Sequence, residues 1–206
     1  MNIGIIGRAR VGKDTAGAWL VRERGYNRVA FADSLKTAAL RVDPIITADE
    51  WEDEYNPANH GVEEVRLSKH VEEEGWEGAK AWPECRRFLQ ELGAAIRTID
   101  PEFWIRAALK RADDLADSTG RPTVITDVRY GNEATTLRAR GWHLLYIDRP
   151  GIPHLVHESE GALGPEDADH TIMNAGSMAD LEAAVQLFHK RVHDAESARH
   201  YGRAHD

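Results

Sequence analysis

Apolar and polar positions along this chain switch between helical and strand periods, and the switches define the elements. A short apolar run at 3–6 predicts a strand, and after GRARVGKDT at 7–15, Ala16, Trp19 and Leu20 fall at helical spacing. Gly25 ends that helix before a second strand at 28–31, giving a βαβ unit with an expected right-handed crossover. Asp33 or Ser34 is positioned to cap the next helix, which carries Leu35, Ala38, Ala39 and Leu40 before Pro44. From 47 to 83 the apolar period fades and acidic residues dominate, so this stretch reads as an insertion on the sheet's edge rather than a second globular domain. Its Trp51, Trp76 and Trp82 predict that parts of it pack.

A helix resumes at Glu84 with Phe88, Leu89, Leu92, Ala95, Ile96 and Ile99 on one stripe. Another is expected from Pro101 through Trp104, Ile105, Ala108 and Leu109 to a break at 118–122. A β-rich strand at 123–126 leads to Asp127 and Arg129 at its carboxyl end, the edge at which ligands bind in open α/β sheets. A helix at 131–140, a buried strand at 142–147, a lid-like loop at 152–168, a last strand at 170–173 and a helix marked by Leu181, Val185, Phe188 and Val192 follow. Residues 195–206 are polar and read as a frayed tail.

The 206 residues fit one domain with an inserted lobe. A net charge of −9 argues against gripping duplex nucleic acid, which needs a basic face. Cys85 is the only cysteine, which rules out an intrachain disulfide or a CxxC site and predicts a reducing cytosol, the host's if the chain is phage-encoded. No stretch has the length of a membrane span or a signal peptide, so a soluble protein is expected.

The chemistry centres on 7–15. Gly7 and Gly12 bracket four residues and Lys13 follows, in the order strand, glycine loop, helix, so backbone amides can turn around phosphate while the lysine reaches its outer oxygens. Arg8 and Arg10 add charge to the loop. Asp14 stands where such loops usually have a magnesium-touching hydroxyl, and Thr15 comes one residue later. Asp127 reads either as a magnesium-linked carboxylate or as a helix cap. Arg129 suits a phosphate. Arg86 and Arg87 read either as a phosphate fork or as a solvated helix start, and the Gln90 amide can read a base edge. Trp104 and Tyr130 could stack on a base, or pack in the core. His154, His157 and His170 with Glu158 and Asp169 match no recognised metal spacing.

These residues resemble the phage-type deoxynucleoside monophosphate kinases, of the P-loop nucleotide kinase superfamily. The resemblance rests on GRARVGKDT, FADSLK at 31–36, RRFLQELG at 86–93, the segment 100–104, TDVRYGNEA at 126–134, DRPG at 148–151, HESEG at 157–161 and DHTIMNAGS at 169–177. It implies a three-layer α/β/α fold with a central, mostly parallel five-stranded sheet: a core at 1–46 and 119–194, a helical substrate-binding insertion at about 47–118, and a lid at about 152–168. It implies ATP and Mg2+ on the loop, through Gly7, Arg8, Gly12, Lys13, Asp14 and Thr15, with Arg149 against the donor base and Asp127 as a further metal ligand. A deoxynucleoside 5′-monophosphate would meet Asp33, Lys36, Arg86, Arg87, Gln90, Trp104, Arg129 and Glu133. Residues 152–189 contain no Arg or Lys, so Arg10 and Arg129 are expected to replace lid arginines, while His157, Ser159 and Glu160 close over the site or simply exclude water. The resemblance is compatible with a homodimer. The rival readings are a dephospho-coenzyme A kinase-like enzyme and a nucleotide-binding regulatory module.

Overall fold

The runs at 3–6, 123–128 and 143–148 are buried along almost their whole length, as parallel strands covered by helices on both faces must be. The computed structural model describes residues 1–53, 56–152 and 162–203. In chain order the elements are β1 (Ile3–Ile6), α1 (Lys13–Arg24), β2 (Asn27–Val29), α2 (Phe31–Val42), β3 (Ile45–Asp53), β4 (Asn56–Arg66) and α3 (Leu67–Ala79). There follow α4 (Pro83–Ile99), α5 (Phe103–Thr119), β5 (Thr123–Val128), α6 (Gly131–Ala139), β6 (His143–Asp148), a 3-10 turn at Pro165–Asp167, β7 (His170–Met173) and α7 (Met178–Arg203). Among the described residues no helix is long and apolar enough to cross a membrane.

Two compact units result: Met1–Phe31 with Ile105–Asp206, and Ala32–Trp104. The first holds the parallel sheet, in the order β2-β5-β1-β6-β7. Alternation along the strands sorts the core onto two faces. Ile3, Ile5, Val124, Leu145 and Ile147 meet Trp19 and Leu20 of α1 and Leu181, Val185 and Phe188 of α7. Ile6, Ile125, Val128, Leu144 and Tyr146 meet Ile105, Ala108 and Leu109 of α5 and Ala134 and Leu137 of α6. The result is a three-layer α/β/α fold around a parallel five-stranded sheet. Burial of an aliphatic side chain in such a core contributes roughly 1.5–3 kcal/mol.

The second unit contains α2, the antiparallel pair β3–β4, α3 and α4. Ala39, Ile46, Leu67, Ala79, Cys85 and Leu89 form its core, with Leu35, Trp76 and Trp82 against them. Asp43 sits at φ 48 and accepts the Ser68 amide and hydroxyl at 2.8 and 3.0 Å, holding the start of α3.

Several local expectations change. The acidic stretch 47–83 carries regular structure, the β3–β4 hairpin followed by α3, and belongs to the second compact unit. Phe31 begins α2 rather than ending a strand, so Asp33 and Ser34 lie inside the helix; the Phe31 amide is accepted by Asp127 Oδ1 at 2.8 Å. Pro101 lies in the turn before α5, and α7 continues through the supposed tail to Arg203.

Burial lowers the proton affinity of His170, which starts β7, and of His189 on α7, below the ordinary 6.5. The unfolded chain therefore protonates these rings first as pH falls. The stability their neutral forms carry is complete above pH 6.5 and is lost as pH falls through the folded-state values. Calorimetry should show Tm falling between about pH 7 and about pH 5, with His189→Gln flattening the slope. An unchanged slope in the variant would remove His189 from the account.

Candidate functional site

The loop between β1 and α1 has a backbone that only its own residues permit. Gly7 has φ 147 and Gly12 has φ 108, and Arg10 is the unusual non-glycine at φ 66. A Cβ on Gly7 would lie 2.4 Å from the Ile147 carbonyl oxygen of β6, and one on Gly12 would lie 2.8 Å from the Asn174 amide nitrogen and 2.8 Å from Leu181. The loop is thus pressed against the ends of the neighbouring elements. Because Gly12 is the N-cap of α1, no side chain caps this helix start, whose partial positive charge faces the loop. A backbone cradle at an uncapped helix start fits a phosphate group.

Lys13 is buried, and its Nζ donates to the Gly7 and Arg8 carbonyls at 2.6 and 2.5 Å. The ammonium therefore sits over the loop, where it can meet an anion. Arg8 is held by Asp148 Oδ1 at 3.0 Å and donates to the Ile152 carbonyl at 3.2 Å, which turns it toward the end of β6. Arg10 and Asp14 are exposed, Thr15 is half-buried, and Arg149 is exposed just past β6.

Beyond the loop, Asp127 lies within β5, and one of its oxygens anchors the start of α2. That oxygen therefore meets a helix start, but of α2 after the neighbouring strand β2 and not of the helix that follows its own strand. Glu133 is buried, and its Oε2 accepts the Arg129 and Tyr130 amides at 2.7 and 3.0 Å. It therefore shapes the β5–α6 turn that presents the exposed Arg129, which is a positioning role.

In the second unit, Asp33 and Lys36 lie half-buried on α2, and Lys36 Nζ stands 5.3 Å from the centre of the Trp76 ring, a cation–π arrangement. Arg86 and Gln90 are exposed one turn apart on α4, and Arg86 donates to the Lys80 carbonyl at 3.1 Å. Arg87 differs, because Glu84 and Glu91 on its own helix bracket it. The solvated-helix reading fits Arg87. Trp104 is buried and gives its indole N–H to the Gly93 carbonyl at 3.2 Å, so the ring packs in the core instead of standing open to a base. His157, Ser159 and Glu160 lie outside the described residues, as do His154 and Glu158.

Two residues that hold the loop escape a reading of candidate ligands. Asn174, buried just after β7, donates from Nδ2 to the Val11 carbonyl at 2.9 Å, and its amide donates to the Asp148 carbonyl at 2.7 Å. Asp148 in turn orients Arg8. Both stand in stretches already singled out, DRPG and DHTIMNAGS, and a polar side chain at or directly after the end of a strand is the feature that could have exposed them.

Truncation to Asn174→Ala leaves the buried Val11 carbonyl without its donor, at a cost of about 1–3 kcal/mol. Urea denaturation should show that loss, and hydrogen exchange should accelerate at the amides of Gly12, Lys13 and Asp14. Normal exchange at those amides would mean that Asn174 does not hold the loop.

Comparison with known proteins bears on what this site serves. The family model described as deoxynucleotide monophosphate kinase matches residues 46–185, about two thirds of the chain. The chain is 34% identical over 110 residues to the ORF77 protein of Ictalurid herpesvirus 1 (strain Auburn), a match covering 52% of this chain and 48% of that protein. It is 29% identical over 160 residues to a putative deoxynucleotide monophosphate kinase of Acanthamoeba polyphaga mimivirus, covering 73% and 75%. With the deoxynucleotide monophosphate kinase of Escherichia phage RB69 it shares 29% identity over 104 residues, covering 49% and 43%. The chain thus spans about half the length of the herpesvirus and phage proteins. Similar solved structures include shikimate kinase from Aquifex aeolicus vf5, with TM-score 0.42 and 13% identity over 91% of this chain and 95% of that one. Another is dephospho-CoA kinase from Campylobacter jejuni, with TM-score 0.45 and 14% identity over 93% and 96%. With a family model spanning most of its length and a phosphate-fitting loop at the head of its sheet, the chain belongs to the deoxynucleotide monophosphate kinase family.

Proposed function

We propose that this protein transfers the terminal phosphoryl group of ATP to a deoxynucleoside 5′-monophosphate, releasing ADP and the deoxynucleoside diphosphate. A phosphate oxygen of the monophosphate forms the new bond to the γ-phosphorus as the bond to the β-phosphate bridging oxygen breaks. The observation that carries this reading is the uncapped start of α1 behind the glycine loop, with Lys13 seated over it, in a chain of this family.

Phosphoryl transfer asks a protein mainly for positioning and positive charge. Lys13 and the loop amides hold the donor phosphates, with Gly7, Gly12 and Thr15 shaping the cradle and Arg149 against the donor base. Arg10 and Arg129 supply the charge that 152–189 lacks. Asp14, Thr15 and Asp127 would hold Mg2+, which neutralises charge on the phosphates when bound. Asp33, Lys36, Arg86 and Gln90 take the acceptor nucleotide; Arg87, neutralised on its own helix, is left out.

Lys13→Met keeps the bulk of the side chain but removes its charge. Turnover should fall on the order of a hundredfold or more, with the urea midpoint little changed. A coupled ADP-release assay over the four deoxynucleoside monophosphates tests the reaction itself, and stimulation by at least one is expected. No stimulation by any of them would remove the kinase assignment. Gln90→Ala should change the relative rates among bases more than the best rate, and unchanged ratios would take Gln90 out of the acceptor site.

A further inference from the structure

The amino edge of the parallel sheet, at the far end of β6 from the glycine loop, carries a second charged site. A cavity of about 400 Å³ opens there, lined by Arg138 of α6, Trp142 and His143 at the start of β6, Asp169 and His170 at the start of β7, and Arg191 of α7. β6 runs from this cavity to Asp148 beside the loop, so the two sites lie roughly 16 Å apart along the strand.

The charges around the cavity do not balance. Asp169 turns one oxygen to the Leu144 amide at 2.8 Å and leaves the other 3.9 Å from Arg138. Arg138 also donates to the Asp167 carbonyl at 2.7 Å. Nearby Glu196 is shared between His143 Nε2 at 2.9 Å and the Met1 amino group at 3.8 Å. Both carboxylates are thus occupied, whereas Arg191 forms no ion pair among the described residues and stays exposed at the rim. Two guanidinium groups and two imidazoles therefore line the cavity together with Asp169, whose charge is shared with Arg138. The edge of Phe188 closes the side of His170, with ring centres 5.1 Å apart.

We propose that this cavity binds a phosphate dianion, free or as the phosphate of a nucleotide, at a site separate from the glycine loop. Arg191 supplies the uncompensated charge, Arg138 a second guanidinium, and His143 and His170 donate once protonated. Burial chiefly opposes protonation of His170; Asp169 favours it, and His143 and Arg191 oppose it. A bound dianion adds to the effect of Asp169, so binding and imidazole protonation favour each other.

NMR of the imidazole resonances during titration with inorganic phosphate tests this on the intact protein. Saturable shifts of His143 and His170, with the titration midpoint of His170 moving upward, are expected at millimolar phosphate. Arg191→Gln, at an exposed position, should weaken binding by about tenfold, and Arg191→Lys by less. Lys13→Met should leave the shifts unchanged, because the loop is not involved. A deoxynucleoside monophosphate that acts at lower concentration than phosphate identifies the nucleotide as the ligand; equal concentrations identify the free ion. The proposal is overturned by the absence of saturable shifts, by shifts indifferent to Arg191→Gln, or by shifts that vanish with Lys13→Met.

Discussion

The contact on which the rest of the molecule depends is the close approach of Gly7 to the end of β6. β1 and β6 run parallel in register from Ile3 against His143 to Ile6 against Tyr146, so the chain leaves β1 directly beside the Ile147 carbonyl. With no side chain at Gly7, the backbone passes that carbonyl and turns at once into α1. Asn174, arriving from the next strand, fixes the crown of the turn through Val11. Three adjacent parallel strands thus end together, and their ends are the frame on which a helix start is aimed at an anion.

In the proposed function, that frame is what lets a chain of net charge −9 hold a polyanion. The positive charge that matters is local and oriented. Arg8 is tied to Asp148, Lys13 to two loop carbonyls, and Arg129 is set by a turn that Glu133 clasps. Each cation or its turn is held before any ligand arrives, which lowers the ordering cost of binding. The acidic side chains of α3 and α4 lie instead in the other unit, where Glu84 and Glu91 neutralise Arg87.

The sheet, the loop and most helices were legible because local patterning dictates them. Fully buried strands read as apolar runs, and the 3.6-residue stripe of α7 matches its buried face, whereas in α4 only Leu89 of the predicted stripe is buried and Ile99 is 85% exposed. The hairpin in the acidic segment was not legible because the pairing of β3 with β4 depends on cross-strand register, which leaves little trace in a charge-rich stretch. Asp127 and Asn174 show the other limit. Both are polar residues at strand ends, and composition cannot say that such a side chain also holds a neighbouring backbone, as the hydrogen bonds to Phe31 and Val11 show. Trp104, expected at the acceptor nucleotide, is instead buried on its helical stripe.

The central claim is that the amides at the start of α1 receive the donor phosphates. It is tested most directly by amide chemical-shift mapping of the folded protein during titration with ADP. The account predicts saturable shifts concentrated at Gly12, Lys13, Asp14 and Thr15, with a matching response at Asn174. Saturable binding that leaves those amides unmoved, or no binding at all, would contradict it.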